Sequence, residues 1–177
     1  MIFKETRFNG VYLIYLEKIN DDRGFFARTY CEKEFVAQKI CFPIRQSSIS
    51  FNKRKGTLRG MHYQIFPHEE AKIISCLHGS IYDVVVDLRI DSPTYGQWIA
   101  FAMNAQDFPM IYVPKGCAHG FQTLEDDTVV LYWMSEFYHP ESACGFRWND
   151  PLFDIQWPKI KKRIISAKDQ QYADFML

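Results

Sequence analysis

Turn signals punctuate this chain at short, regular intervals, and the segments between them are rich in β-branched and aromatic residues, which leaves little room for long helices. Val11–Leu16 opens the series, and Phe25–Tyr30 follows the turn Asp21-Asp22-Arg23-Gly24. Ile44–Phe51 and Thr57–Gln64 flank a basic turn at Asn52–Gly56, whose Lys53, Arg54 and Lys55 read as a solvated hairpin tip. Lys72–Leu77 and Ile81–Leu88 are joined through His78-Gly79-Ser80, a tight connection that predicts a hairpin. Trp98–Met103, Met110–Val113, Gly120–Thr123 and Thr128–Met134 complete the strands; Glu32–Lys39, with Phe35, Val36 and Lys39 at helical spacing, predicts a helix. Many short strands in 177 residues predict an all-β fold, an antiparallel sandwich or jelly-roll barrel with short peripheral helices, in one domain spanning 1–177. Beyond Pro151, aromatics alternate with prolines (Phe153, Trp157, Pro158), as in an ordered wrap over a barrel.

Bulk properties exclude several classes of function. Basic and acidic residues balance at 21 each, so no global field draws the chain to nucleic acid or to a membrane surface. An apolar content of 47% with 16% aromatics argues against disorder. No uncharged run approaches the roughly 18 residues of a spanning helix. Lys4, Glu5 and Arg7 come too early for the apolar core of a signal peptide. Cys31, Cys41, Cys76, Cys117 and Cys144 are scattered without CxxC spacing and read as free thiols, so a cytoplasmic setting is expected.

The chemistry concentrates in Gly56–Gln64, where Arg59 and His62 share a short apolar strand. A histidine on such a strand is ordinarily a satisfied core residue, but an arginine beside it shifts the reading toward a ligand or a reaction. Residues three apart face opposite sides of a regular strand, so a bulge at Gly60 is needed to turn both inward. Lys72, His119, Tyr132 and Asp169 are further polar residues in apolar surroundings. Lys72 begins an otherwise apolar strand: the bland reading is an edge lysine reaching water, the functional one a cation that stabilises an enolate oxygen. Tyr132 shares a face with Val130 and Met134 and is either a core tyrosine or a general acid. His119 sits beside a turn at the start of a strand. Asp169 reads as a helix cap or turn residue, and functionally as a carboxylate orienting His62. Together these residues suit proton abstraction next to a carbonyl. No metal is expected: Gln64, two positions after His62, is a poor ligand, His119 lies far along the chain, and His68 with Glu69 and Glu70 follows Pro67 in an exposed turn. His78 and His139 read as turn residues.

Longer motifs carry a resemblance across nearly the whole chain. They are Asp22-Arg23-Gly24-x-Phe26, Gly56-x-Leu58-Arg59-Gly60-x-His62-Tyr63-Gln64, Asp83-Val84-x-Val86-Asp87-Leu88-Arg89-x-x-Ser92-Pro93-Thr94, Pro114-x-Gly116-x-Ala118-His119-Gly120-Phe121, Trp148-Asn149-Asp150-Pro151, Trp157-Pro158 and Ser166-x-Lys168-Asp169. In these the chain resembles the dTDP-4-dehydrorhamnose 3,5-epimerases. The resemblance implies a metal-free cupin jelly roll (a double-stranded β-helix), without cofactor, as a homodimer exchanging N-terminal strands, acting on a sugar-nucleotide substrate. It implies His62 as base with Asp169, Tyr132 as acid on the opposite face, and Lys72 at the enolate. Arg59, with Arg23 of the neighbouring subunit, is implied at the pyrophosphate and Phe26 near the base, with His119, Tyr138 and Lys168 lining the site. A C4 ketone acidifies the protons at C3 and C5, and removal and return from opposite faces inverts each centre. At the nucleotide end the chain departs from the family: Arg28 stands where a glutamate is usual, Gln46-Ser47-Ser48 replaces a Gln-x-Asn pattern, and Ala143 replaces an acid, with Glu141 close by. Thymine N3 needs an acceptor whereas cytosine suits arginine, so a CDP-linked sugar is a second expectation. Inversion at C3 or C5 alone, a non-catalytic sugar-nucleotide-binding barrel and a metal-dependent barrel are the competing readings.

Overall fold

The computed structural model describes residues 1–107 and 109–176. In chain order the elements are β1 (Ile2–Glu5), β2 (Tyr12–Tyr15), β3 (Ile19–Asp21), β4 (Gly24–Phe26), α1 (Glu32–Ala37), β5 (Gln46–Asn52), β6 (Thr57–Gln64), β7 (Lys72–His78), β8 (Ser80–Asp87), β9 (Trp98–Asn104), β10 (Met110–Val113), β11 (Cys117–Thr123), β12 (Thr128–Met134), β13 (Ala143–Gly145), β14 (Ile164–Ile165) and α2 (Ala167–Gln171). One sheet runs β1-β2-β10-β7-β12-β5 and the other β13-β6-β11-β8-β9, with β14 added parallel to β6; β3 and β4 form a separate hairpin. From β5 to β8 each strand lies in the opposite sheet to the one before it, the weave of a jelly roll.

That weave corrects the two expected hairpins. His78 ends β7 beside Val129 in the first sheet, while Ser80 starts β8 beside Asn104 in the second. Gly79, at φ +75°, therefore carries the chain across the barrel. The basic turn after Asn52 does the same between β5 and β6. A tight turn reverses the chain in either topology; the partners available to the strands decide which ladder forms. Other boundaries also move. The series opens at β1, which pairs with β2. The strand expected over Phe25–Tyr30 stops at Phe26, and Tyr30 instead donates a 2.7 Å hydrogen bond to the Phe42 carbonyl. The helix stops at Ala37; Phe35 is its buried residue, Val36 is exposed, and Lys39 has turned to φ +61°. β11 begins at Cys117, so His119 lies inside a buried strand rather than at its start.

Strand alternation sorts side chains between three apolar clusters. Ile74, Cys76, Ile81, Val85, Phe121 and Val130 fill the space between the sheets. On the outer side of the second sheet, Leu58, Met61, Val84 and Val86 are covered by Phe146, Phe153, Ile155 and Trp157 of the C-terminal wrap. Outside the first sheet, Phe35 and Phe42 cover Ile14, Ile73 and Tyr112. Each fully buried side chain of this size contributes about 1.5–3 kcal/mol.

The irregularity that matters most lies in β6. His119 of β11 pairs with His62 and Phe121 pairs with Arg59, so Gly60 and Met61 together oppose Gly120. This bulge sends Leu58 and Met61 outward to the wrap, while Arg59 and His62 both line the cavity on the other side. Gly60 sits at φ +132°, and a Cβ there would lie 2.6 Å from the Gly120 Cα and 3.1 Å from the His119 carbonyl oxygen. We expect Gly60→Ala to cost about 2–4 kcal/mol in urea unfolding, from steric overlap added to backbone strain. Gly96→Ala, at φ +73° but with open space around its Cβ, should cost only the backbone part. Equal costs for the two would contradict the close approach.

Candidate active site

One end of the barrel interior is apolar; the other opens into a cavity of about 420 Å³ lined by polar groups from both sheets, within the range of small-molecule sites. From the second sheet come Arg59 and His62 of β6 and His119 of β11, and from the first Lys72 of β7, Tyr132 of β12 and Gln46 of β5. Tyr138, and Lys168 and Asp169 of α2, close the rim.

His62 Nε2 lies 2.9 Å from Asp169 Oδ1. Ser166 caps α2 by accepting the Asp169 N–H at 3.0 Å, and the Gly60 N–H donates to Asp169 Oδ2 at 3.3 Å. The bulge that turns His62 inward thus also supplies a donor to its carboxylate. Asp169 is buried, so it is more than the cap or turn residue its local sequence describes. Burial pushes its carboxyl up, but the hydrogen bonds of His62, Gly60 and Ser166 outweigh this and hold it below the ordinary value. An ionised carboxylate only accepts hydrogen bonds. Nε2 of His62 therefore carries the proton, and Nδ1 keeps the lone pair that a base requires.

Tyr132 faces this pair from the opposite sheet. Burial, followed by the negative charge of Asp83, pushes its hydroxyl well above the usual tyrosine range, with Arg59 opposing. It keeps its proton at neutral pH, the state required of an acid. Its ring meets His119 edge-on at 6.0 Å. His119 in turn lies 2.8 Å from Asp83 through Nε2, both side chains being buried. Asp83 Oδ1 is, among the described residues, a buried polar atom without a hydrogen-bond partner. Lys72 is no edge lysine: β7 runs between β10 and β12, and the ammonium pairs with Glu70 at 2.9 Å. Arg59, by contrast, is exposed at the mouth, with its Nε donating to Asn52 Oδ1 at 2.9 Å. Gln46 Oε1 accepts the Tyr138 N–H at 2.6 Å. The Lys168 ammonium is held above its ordinary value by Tyr172 and Tyr138, and Tyr172 also packs edge-on against His62.

Arg23, Phe26 and Arg28 do not line this cavity. Arg23 and Phe26 stand on or beside the exposed β3–β4 hairpin, where Arg23 pairs with Asp21 at 2.6 Å and Phe26 is 73% exposed. Arg28 pairs with Glu34 at 2.9 Å. Conversely, Asp83, Glu70, Asn52 and Tyr172 hold site residues without having been singled out for that purpose. Asp83 carried a readable signal, a carboxylate within the apolar run Ile81–Val86, of the kind that marked Lys72. Glu70 lines the cavity and does not stand on an exposed turn.

Taken together, a carboxylate-backed imidazole faces a protonated phenol, with an ammonium beside them and two further cations at the mouth. This is the equipment for removing and returning a proton at a carbon acid that carries an anionic tail.

The family described as dTDP-4-dehydrorhamnose 3,5-epimerase matches residues 5–176. A relative of that name from Sinorhizobium fredii is 37% identical over 169 residues, covering 96% of this chain and 87% of the relative. The crystal structure of a dTDP-4-dehydrorhamnose 3,5-epimerase from Elizabethkingia anophelis superposes with a TM-score of 0.95 at 36% identity, over 99% of this chain and 96% of that one. Another from Bacillus anthracis, with TDP and PPi bound, gives 0.93 at 38% identity over 98% and 100%. The shared fold is a cupin-like jelly roll.

Because the folded-state carboxyl of Asp169 lies below its unfolded value of about 3.9, its stabilisation is fully present above that pH. It is lost as the pH falls through the folded-state value. Asp169→Asn should therefore unfold more readily than wild type at neutral pH, and the gap should close on acidification below about pH 4. A gap independent of pH in urea titrations would show that the charge of Asp169 contributes nothing.

Proposed function

This chain belongs to the dTDP-4-dehydrorhamnose 3,5-epimerase family, and we propose that it is an isomerase inverting C3 and C5 of a dTDP-4-keto-6-deoxyhexose. The observation that carries the reading is the His62–Asp169 pair facing Tyr132 and Lys72 across one cavity. His62 removes the proton made acidic by the C4 ketone, with Asp169 fixing its tautomer and stabilising the imidazolium. Lys72 stabilises the enolate oxygen, and Tyr132 returns a proton from the other side. Arg59 and Lys168 hold the pyrophosphate end, and Gln46, His119 and Tyr138 line the bound sugar nucleotide. Proton shuttling at two carbons needs no change of oxidation state, so no redox cofactor enters.

A homodimer belongs to the same reading. Arg23, Phe26 and Ile19 lie on or beside a hairpin outside their own cavity, and Phe26 and Ile19 are strongly exposed. Exchange of N-terminal strands would give Arg23 a pyrophosphate to bind and Phe26 a surface near the base. A single domain and a cytoplasmic setting complete the proposal; no helix among the described residues is long and apolar enough to cross a membrane.

For the nucleotide, the ion pair of Arg28 with Glu34, which also binds the N-terminal ammonium at 2.6 Å, favours the thymidine substrate. An arginine committed to a carboxylate is a weaker reason to expect cytosine. With dTDP- and CDP-linked 4-keto-6-deoxyglucose in competition, the dTDP sugar should be consumed first; preference for the CDP sugar would restore Arg28 as the base reader.

The two sides of the mechanism separate by mutation. His62→Ala should lower solvent exchange at both carbons by about 10²–10⁴-fold. Tyr132→Phe should lose inversion by a similar factor while retaining exchange, because His62 can return the proton to the face it came from. Equal loss of exchange and inversion in Tyr132→Phe would contradict the division of roles.

A further inference from the structure

We propose that His68, His139 and Glu141 form a binding site for a borderline divalent transition-metal cation, of the zinc, nickel and copper kind, at the rim of the cavity. The ligand atoms of these three side chains all lie within 4.8 Å of one another. His139 Nδ1 is 3.2 Å from Glu141 Oε1, and His68 Nε2 is 4.0 Å from the same oxygen. Donors sharing a tetrahedral ion at about 2.1 Å stand about 3.4 Å apart, so the observed separations bracket the bound geometry. Two imidazoles with one carboxylate suit borderline metals and leave coordination positions for water.

The imidazoles belong to different turns, and the fold brings those turns together deliberately. Gln64, buried at the end of β6, donates through Nε2 to the carbonyls of His68 at 2.9 Å and Phe137 at 3.0 Å. Its Oε1 accepts the His139 N–H at 2.7 Å. The Ile65 N–H donates to the Ser142 carbonyl at 2.9 Å, tying the same two segments a second time. The histidines are therefore pre-positioned by backbone contacts, and closing on an ion requires only side-chain rotation.

The rings now stack with centroids 3.4 Å apart and planes 8° from parallel. Parallel rings direct their lone pairs side by side, so both must turn about Cβ–Cγ to converge on one ion. That torsion is broad for histidine. His68 and His139 are about 30% exposed, at 31% and 29%, and Glu141 is 66% exposed, so an ion has access. The site is separate from the catalytic set, but Tyr138 and Gln64 line the cavity. A bound ion would fix the turn that carries Tyr138 to the turn that follows β6.

The test is equilibrium dialysis of the chelator-stripped full chain against zinc at low micromolar free concentration. Wild type should bind one ion per chain, and His68→Ala and His139→Gln should each weaken binding by at least about 10-fold. Zinc should raise the unfolding temperature of wild type and not of the variants. Both substitutions lie on surface turns, and unchanged circular dichroism without metal would establish that the variants fold. Cobalt should give a visible spectrum free of the thiolate charge-transfer band that Cys41 or Cys144 would produce. No binding by wild type, unchanged binding by both variants, or a thiolate band would each overturn the proposal.

Discussion

The close approach of Gly60 to Gly120 is the constraint on which the site depends. Without a Cβ on either residue, β6 accommodates two residues against one of β11, and the side-chain alternation of the strand breaks at that point. Three consequences follow from one irregularity. Arg59 and His62 come to the same face, Met61 joins the outer cluster under the C-terminal wrap, and the Gly60 N–H is freed from the ladder to meet Asp169. A regular strand would have provided an arginine or a histidine to the cavity, but not both.

The cavity is also held by paired side chains at several depths. His119 and Asp83 are buried together, Lys72 and Glu70 are paired nearer the mouth, and His62 with Asp169 joins the barrel to the returning tail. Removing one partner of a buried pair leaves an uncompensated charge, which is far more costly than the net value of the pair. The arrangement thus locks the polar residues in place. The His62 imidazole remains partly open to a ligand, at 38% side-chain exposure. The barrel's apolar interior supplies the stability, and the polar end uses it.

What the sequence made legible was local. The bounds of β6, β10 and β12 follow from composition and turn chemistry, and His62, Lys72 and Tyr132 stand out as polar residues in apolar strands. The bulge was readable too, because Arg59 and His62 could share a face only through Gly60. Topology was less legible: Gly79 and the Lys53–Gly56 turn reverse the chain sharply, but nothing local distinguishes a hairpin from a crossing between sheets. β13, β14 and α2 are too short to carry a periodicity, and the two strands form against the framework that β6 provides. The pairing of Asp169 with His62 depends on that returning tail, so local sequence presents the carboxylate as an ordinary cap. Residues that act by holding others, such as Gln64 and Asn52, have no sequence signature apart from being polar near a strand end.

The proposed reaction exchanges protons at two carbons within a cavity that has His62 on one side and Tyr132 on the other. The most direct measurement is to incubate the wild-type protein with dTDP-4-keto-6-deoxyglucose in D₂O and follow label and configuration at each carbon. Deuterium at both C3 and C5, with both centres inverted, is the predicted result. Absence of label at both carbons would contradict the mechanism, and label at only one would contradict the assignment of a single acid–base pair to both centres.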